Sequence, residues 1–189
     1  MSTGRIILAP STSLQAHAFF NVARQLLARG ASVELLLFDM HPRLLLEWCH
    51  HEGIPWNRVP LEHSQRKPRL TASQRAEIVT ELRGAFEGLL QKGKADAFVF
   101  GRLEGPLFEV GSEIANREHM RVVYVGASLD SDHATGARRW CPDISLFCHG
   151  SERELHHSRV ESRPTEHAQQ HIVTGSALYD VSFATSNHI

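Results

Sequence analysis

The chain has 189 residues, of which 42% are hydrophobic and 22% charged. That is long enough to bury one full core, and its composition lies outside the low-hydrophobicity range of disordered chains. Twenty Lys and Arg nearly cancel twenty-one Asp and Glu, so no global field selects DNA, RNA or an anionic membrane as partner. Cys49, Cys141 and Cys148 are odd in number and lack CxxC spacing, which argues against a disulfide framework or a zinc knuckle.

The opening MSTGRIILAP carries an apolar run too short for a signal peptide. No later stretch approaches the roughly 20 apolar residues of a membrane span, so no span and a cytoplasmic location are expected. Arg5 to Ala9 reads as a first strand. The helix after it starts near Ser13, with Phe19, Phe20, Ala23, Leu26 and Leu27 on one face and Gly30 as its stop. Val33 to Phe38 follows as a second strand. Pro42 suits the first turn of a second helix whose apolar side is Leu44 to Trp48, and Gly53 ends it before a short strand at Trp56 to Val59. After a polar, basic loop from Glu62 to Arg69, Thr71 and Gln74 form a capping box ahead of a helix with Ile78, Leu82, Ala85, Phe86 and Leu89 on one face.

Ala97 to Phe100 is continuously apolar, as in a strand covered on both faces, and Pro106 opens a helix carrying Leu107, Val110 and Ile114. Arg121 to Val125 is a fifth strand, and Gly126 to Pro142 a long polar loop. A sixth strand at Ile144 to Cys148 leads into a helix capped by Ser151, and His171 to Val173 resembles a last strand. This alternation predicts an α/β fold: a Rossmann-like open parallel sheet of six or seven strands with helices on both faces. The domain should span residues 1–175, with a polar tail over 176–189.

In such a sheet ligands bind beyond the carboxyl ends of the strands. After the first strand come Ser11, Thr12 and Ser13 at a helix N-terminus, able to hold an anion or, more plainly, to cap the helix through Ser13. After the fourth, GRLEG places the Arg102 guanidinium near Glu104, either a site for phosphate or carboxylate beside an acid or base, or a surface ion pair. After the fifth, the loop holds Asp130, Asp132, His133, Arg138 and Arg139, a set suited to proton transfer and anion binding or to plain solvation. Arg66, Lys67 and Arg69 form a secondary basic candidate. Thirteen histidines raise the question of metal, but the pairs His50–His51 and His156–His157 point apart on their helices. Glu152 and His156 share a helix face without an HExxH pattern. No metal and no cofactor are expected.

The order of elements, with QLLARGASVELLLF after the first helix and HIVTGSALYD near the end, resembles the N-terminal half of GT-B glycosyltransferases. Within that superfamily YVGASLDSDHATGARRWCPDISLFCHGSERE is similar to the matching stretch of non-hydrolysing UDP-N-acetylglucosamine 2-epimerases. Where those epimerases carry a GD pair, this chain has Gly101 and Arg102, and APSTS replaces their arginine-rich first loop. The resemblance implies an acceptor-binding half that works with a nucleotide-sugar-binding partner chain or C-terminal domain. Its acceptor would be a sugar or phosphate-bearing molecule, lined by Ser11, Thr12, Arg102, Glu104, Arg138 and Arg139, with His17, Glu104 or His133 as general base. Two other readings stay open: a Rossmann-like protein-interaction module without catalysis, and a small flavodoxin-like enzyme binding a phosphate-bearing ligand at Ser11 to Ser13.

Overall fold

The computed structural model describes residues 4–38, 43–59, 71–103, 105–126, 142–147 and 170–174. Within these residues each aliphatic run becomes a strand and each longer periodic stretch a helix. In chain order these are β1 (Arg5–Ala9), α1 (Ser13–Ala28), β2 (Ser32–Phe38), α2 (Arg43–His51), β3 (Trp56–Val59), α3 (Ala72–Gln91), β4 (Ala97–Phe100), α4 (Gly105–Arg117), β5 (Arg121–Val125), β6 (Ile144–Phe147) and β7 (Gln170–Val173). The seven strands form one sheet in the order β3-β2-β1-β4-β5-β6-β7, with every neighbouring pair parallel. The Rossmann-like expectation therefore holds. The proposed helix at Ser151, the basic loop, Cys148 and the polar tail lie outside the described residues.

Strand alternation sorts the side chains into two cores. Leu8, Val33, Leu35, Leu37 and Val99 pack with Ala16, Phe19, Phe20 and Ala23 of α1 and with Leu45 and Cys49 of α2. Ile7, Ala9, Leu36, Phe38, Phe98, Phe100, Val122 and Tyr124 pack with Ile78, Leu82, Phe86 and Leu89 of α3 and with Leu107, Val110 and Ile114 of α4. β4 is covered on both faces, as its unbroken apolar sequence requires. In α2 the buried stripe is Leu45 and Cys49, whereas Leu44 and Trp48 are 51% and 40% exposed. Of the apolar stretch Leu44 to Trp48, Leu45 therefore faces the core and Leu46 packs against it, while Leu44 and Trp48 face outward. Burial pushes the Cys49 thiol up to about 11, so it is protonated at neutral pH and serves as core filling.

Phe86, Phe98, Phe100 and Phe108 form a chain of ring contacts under α3 and α4, with centroids from 4.8 Å for Phe86–Phe98 to 6.4 Å for Phe86–Phe100. Outside this core the two helices are tied by ion pairs from Arg75 to Glu109, Arg83 to Glu113 and Arg117 to Glu87. Solvent screening keeps each of these weak.

Among the described residues one acidic side chain is buried inside the sheet. Glu34 of β2 points to the α3 face and is 8% exposed. It accepts hydrogen bonds from Arg5, from Asn57 and from Lys92 at 3.2 Å. Arg5 also donates to the carbonyls of Leu89 (3.0 Å) and Gly93 (2.6 Å), the end of α3 where the helix dipole favours a cation. Lys92 donates in addition to Asn57 Oδ1 at 2.5 Å. The cluster fastens the C-terminus of α3 to β1, β2 and β3 at the amino end of the sheet, away from the end where ligands bind.

Candidate functional site

The chain leaves β1 for α1 on one face of the sheet and β4 for α4 on the other, because β1 and β4 are neighbours from which the strand order runs outward both ways. A crevice therefore forms at their carboxyl ends. Ser11, Thr12 and Ser13 line it from β1, and Gly101 and Arg102 from β4. Arg102 is half-buried, with its Nε shielded from solvent. Glu104, Asp130, His133, Arg138 and Arg139 lie outside the described residues.

Gln15 joins the two loops. Its Oε1 accepts from the Ser11 backbone N–H at 2.9 Å and from the Ser11 hydroxyl at 2.7 Å, while its Nε2 donates to the Gly101 carbonyl at 2.8 Å. Thr12, not Ser13, caps α1: it has extended backbone angles and its hydroxyl accepts from Gln15 N–H at 3.2 Å. The cap moves back one residue because Ser13 already has helical geometry as the first residue of α1. Thr12-x-x-Gln15 and Thr71-x-x-Gln74 carry the same capping-box pattern, yet only Gln74 returns its side chain to the cap backbone. The Gln15 side chain is drawn instead to Ser11 and Gly101, so the Ser11 donors that could meet an anion are engaged inside the protein.

The fit at Gly101 is close. A Cβ there would stand 2.6 Å from Gln15 Cδ and Oε1. Gly101→Ala should force the amide out and break its bonds, costing about 1–2 kcal/mol and a few degrees of melting temperature. In a Gln15→Ala background the same change should cost little, and a double-mutant cycle by urea unfolding checks this. An equal cost in both backgrounds would show that Gln15 is not the obstacle.

His17 sits on the other side of α1. Its Nδ1 lies 3.1 Å from the Ser13 carbonyl. A carbonyl oxygen can only accept, so Nδ1 is the donor of this contact. The ring meets Trp48 of α2 edge to face at 5.6 Å, and Trp48 contacts Phe20 at 5.8 Å. Leu14 is 56% exposed one turn before His17. Gln15 and His17 therefore serve separate places, the β1–β4 crevice and the α1–α2 surface. Nothing in the sequence announces the Gln15–Gly101 bridge or the His17–Trp48 contact, since the Thr12-x-x-Gln15 spacing reads as an ordinary cap.

Among the described residues no three or more His, Cys, Asp or Glu gather to hold a metal ion, and no helix is long and apolar enough to cross a membrane. No protein-family model matches the chain, and no curated protein does. Solved structures do match. UDP-GlcNAc 2-epimerase from Neisseria meningitidis superposes with a TM-score of 0.67 at 15% identity, over 97% of this chain and 50% of that one. A putative UDP-N-acetylglucosamine 2-epimerase from Listeria monocytogenes gives 0.68 at 13% identity, over 98% and 48%. MurG of Acinetobacter baumannii gives 0.59 at 14% identity, over 92% and 45%. The chain has the fold of about half of each of these structures. The chain spans about half the length of the structures it matches, consistent with an N-terminal half.

Proposed function

We propose that this chain is the acceptor-binding half of a GT-B-like glycosyltransferase, acting in the cytoplasm on a sugar or phosphate-bearing acceptor. A second half or a partner chain then supplies the nucleotide sugar. The observation that carries this reading is the near-complete match of the chain to about half of each GT-B-fold structure, combined with a switch-point crevice at the carboxyl ends of β1 and β4. In it Ser11, Thr12, Ser13 and Arg102 border the acceptor from the described loops. Asp130, Arg138 and Arg139 would add anion contacts, and His17, Glu104 or His133 would take the proton from the acceptor hydroxyl. Such a half binds and orients but turns over little alone.

A thermal-shift panel tests this, because a ligand that binds only the native state raises its melting temperature. Acceptor sugars and sugar phosphates should stabilise the chain, and UDP-GlcNAc or free UDP should not. A shift with the nucleotides alone would overturn the proposal in favour of a self-contained enzyme.

A further inference from the structure

We infer that Gln15 sets the polarity of the β1–β4 crevice: its carboxamide holds the donors that an anion would need, so the part of the acceptor that meets the Ser11 and Gly101 loops is uncharged. The inference rests on the proposed acceptor role and adds to it the chemical class of the group that enters here. A phosphate carried by the acceptor points out of the crevice.

Three observations lead there. An anion at the start of a helix needs N–H and hydroxyl donors that are not already engaged. Ser11, only 6% exposed, gives both of its donors to Gln15 Oε1, from its N–H at 2.9 Å and from its hydroxyl at 2.7 Å. The same carboxamide donates from Nε2 to the Gly101 carbonyl at 2.8 Å. A backbone N–H can only donate and a backbone carbonyl can only accept, so the amide has one orientation, and its place demands a group that accepts at one end and donates at the other. A carboxylate has acceptor oxygens only and would set one of them against the Gly101 carbonyl with no hydrogen between them. The amide is also held close, since a Cβ on Gly101 would stand 2.6 Å from its Cδ and Oε1. One Nε2 hydrogen goes to Gly101, and the second has no partner among the described residues. That single neutral donor suits a hydroxyl or ether oxygen of the acceptor, whereas a charge taken out of water needs a counter-charge or several donors.

Gln15→Glu in the full chain puts a carboxylate where none should fit. The third residue of a helix ordinarily welcomes Glu, which meets the dipole of the N-terminus. Gln74→Glu, at the same position of α3, is the control and should hold or raise the melting temperature at pH 8. Gln15→Glu should lower it by several degrees relative to wild type at pH 8 and regain most of that loss at pH 4, because the protonated acid can donate to Gly101 as the amide does. The sign follows from a carboxyl whose proton is held more tightly in the folded chain: its stabilisation is present in acid and lost as pH rises. Arg102 follows Gly101 in the chain and favours a carboxylate, and His17 faces Trp48 instead, so a loss at pH 8 belongs to the Gly101 carbonyl. Gln15→Met fills the space without either polar atom and should weaken binding of N-acetylglucosamine and glucose about fivefold, the worth of one hydrogen bond. Inorganic phosphate should shift wild type and Gln15→Glu equally, since any phosphate site lies elsewhere. A Gln15→Glu chain as stable as wild type at pH 8, or a phosphate stabilisation of wild type that Gln15→Glu abolishes, would overturn the inference. If Gln15→Glu behaves as expected but neither sugar stabilises wild type, the exclusion of anions stands and the acceptor reading falls. If the sugars bind wild type and Gln15→Met equally, the acceptor role survives and the part given to Gln15 falls.

Discussion

Replacing Glu34 with alanine should lower stability by about 3 kcal/mol at neutral pH, because it leaves the half-buried Arg5 beside β2 without its carboxylate and removes the acceptor of three hydrogen bonds. For a chain of this length that corresponds to a fall of roughly 6–12 °C in melting temperature. Glu34→Gln keeps the shape and should cost less. Its cost also carries a pH signature. Burial pushes the Glu34 carboxyl up, but the bonds from Arg5, Asn57 and Lys92 outweigh it and hold the group below its ordinary value of 4.5. A carboxyl lowered by folding stabilises the native state fully above its unfolded value, and that contribution is lost as pH falls through the folded value. The gap between wild type and Glu34→Gln should therefore be widest at neutral pH and close in acid. Urea unfolding at pH 7 and at pH 3 measures it, and a gap that persists or grows in acid would refute the charged cluster.

Gly111→Ala should destabilise by about 2 kcal/mol, against the gain of about 1 kcal/mol that helix propensity alone assigns to removing a helical glycine. A Cβ at Gly111 would stand 2.4 Å from Phe100 Cζ and 3.1 Å from Phe86 Cζ. Neither ring can retreat easily, since Phe86 and Phe100 are fully buried and pack on Phe98, and Phe100 also on Phe108. Gly84 and Gly88 of α3 supply the control: a Cβ at either meets nothing within 4 Å, so each change to alanine should stabilise by about 0.5–1 kcal/mol. Thermal unfolding of the three single variants would show opposite signs for α4 and α3. A stabilised Gly111→Ala would mean that α4 lies further from the sheet than its packing indicates.

The same contrast separates what was legible in the residues from what was not. Local rules wrote the strands plainly, because a strand covered on both faces must be apolar throughout and β4 is. They wrote the helix ends as well: Gly30 and Gly53 stop α1 and α2 with φ of +81° and +66°, a backbone that side-chain-bearing residues rarely adopt. Thr71 and Gln74 formed the capping box their spacing announces. The cap of α1 falls on Thr12 rather than Ser13, and within Leu44 to Trp48 only Leu45 is fully buried, because a one-residue step turns a helix by about 100° and only the neighbouring sheet says which stripe is inside.

The candidate site was legible as a set of loops but not as a set of contacts. The rule that ligands meet parallel strands at their carboxyl ends pointed to Ser11, Thr12, Ser13 and Arg102 before any coordinates. It could not show that Gln15 bridges to Gly101, a partner 86 positions away, or that His17 turns from that crevice to Trp48.

The amino-acid sequence by itself determined the alternation of strands and helices, the helix stops and the two-faced burial of the sheet, since these follow from backbone sterics and from side-chain periodicity within a few residues. Only the tertiary structure decided that Glu34 is a charged anchor rather than a solvated strand residue, that Gly111 must lack a side chain, that Gln15 bridges to Gly101 and that His17 meets Trp48. Each of those roles depends on a neighbour brought close by the order β3-β2-β1-β4-β5-β6-β7, and that order is a property of packing between segments rather than of any one of them.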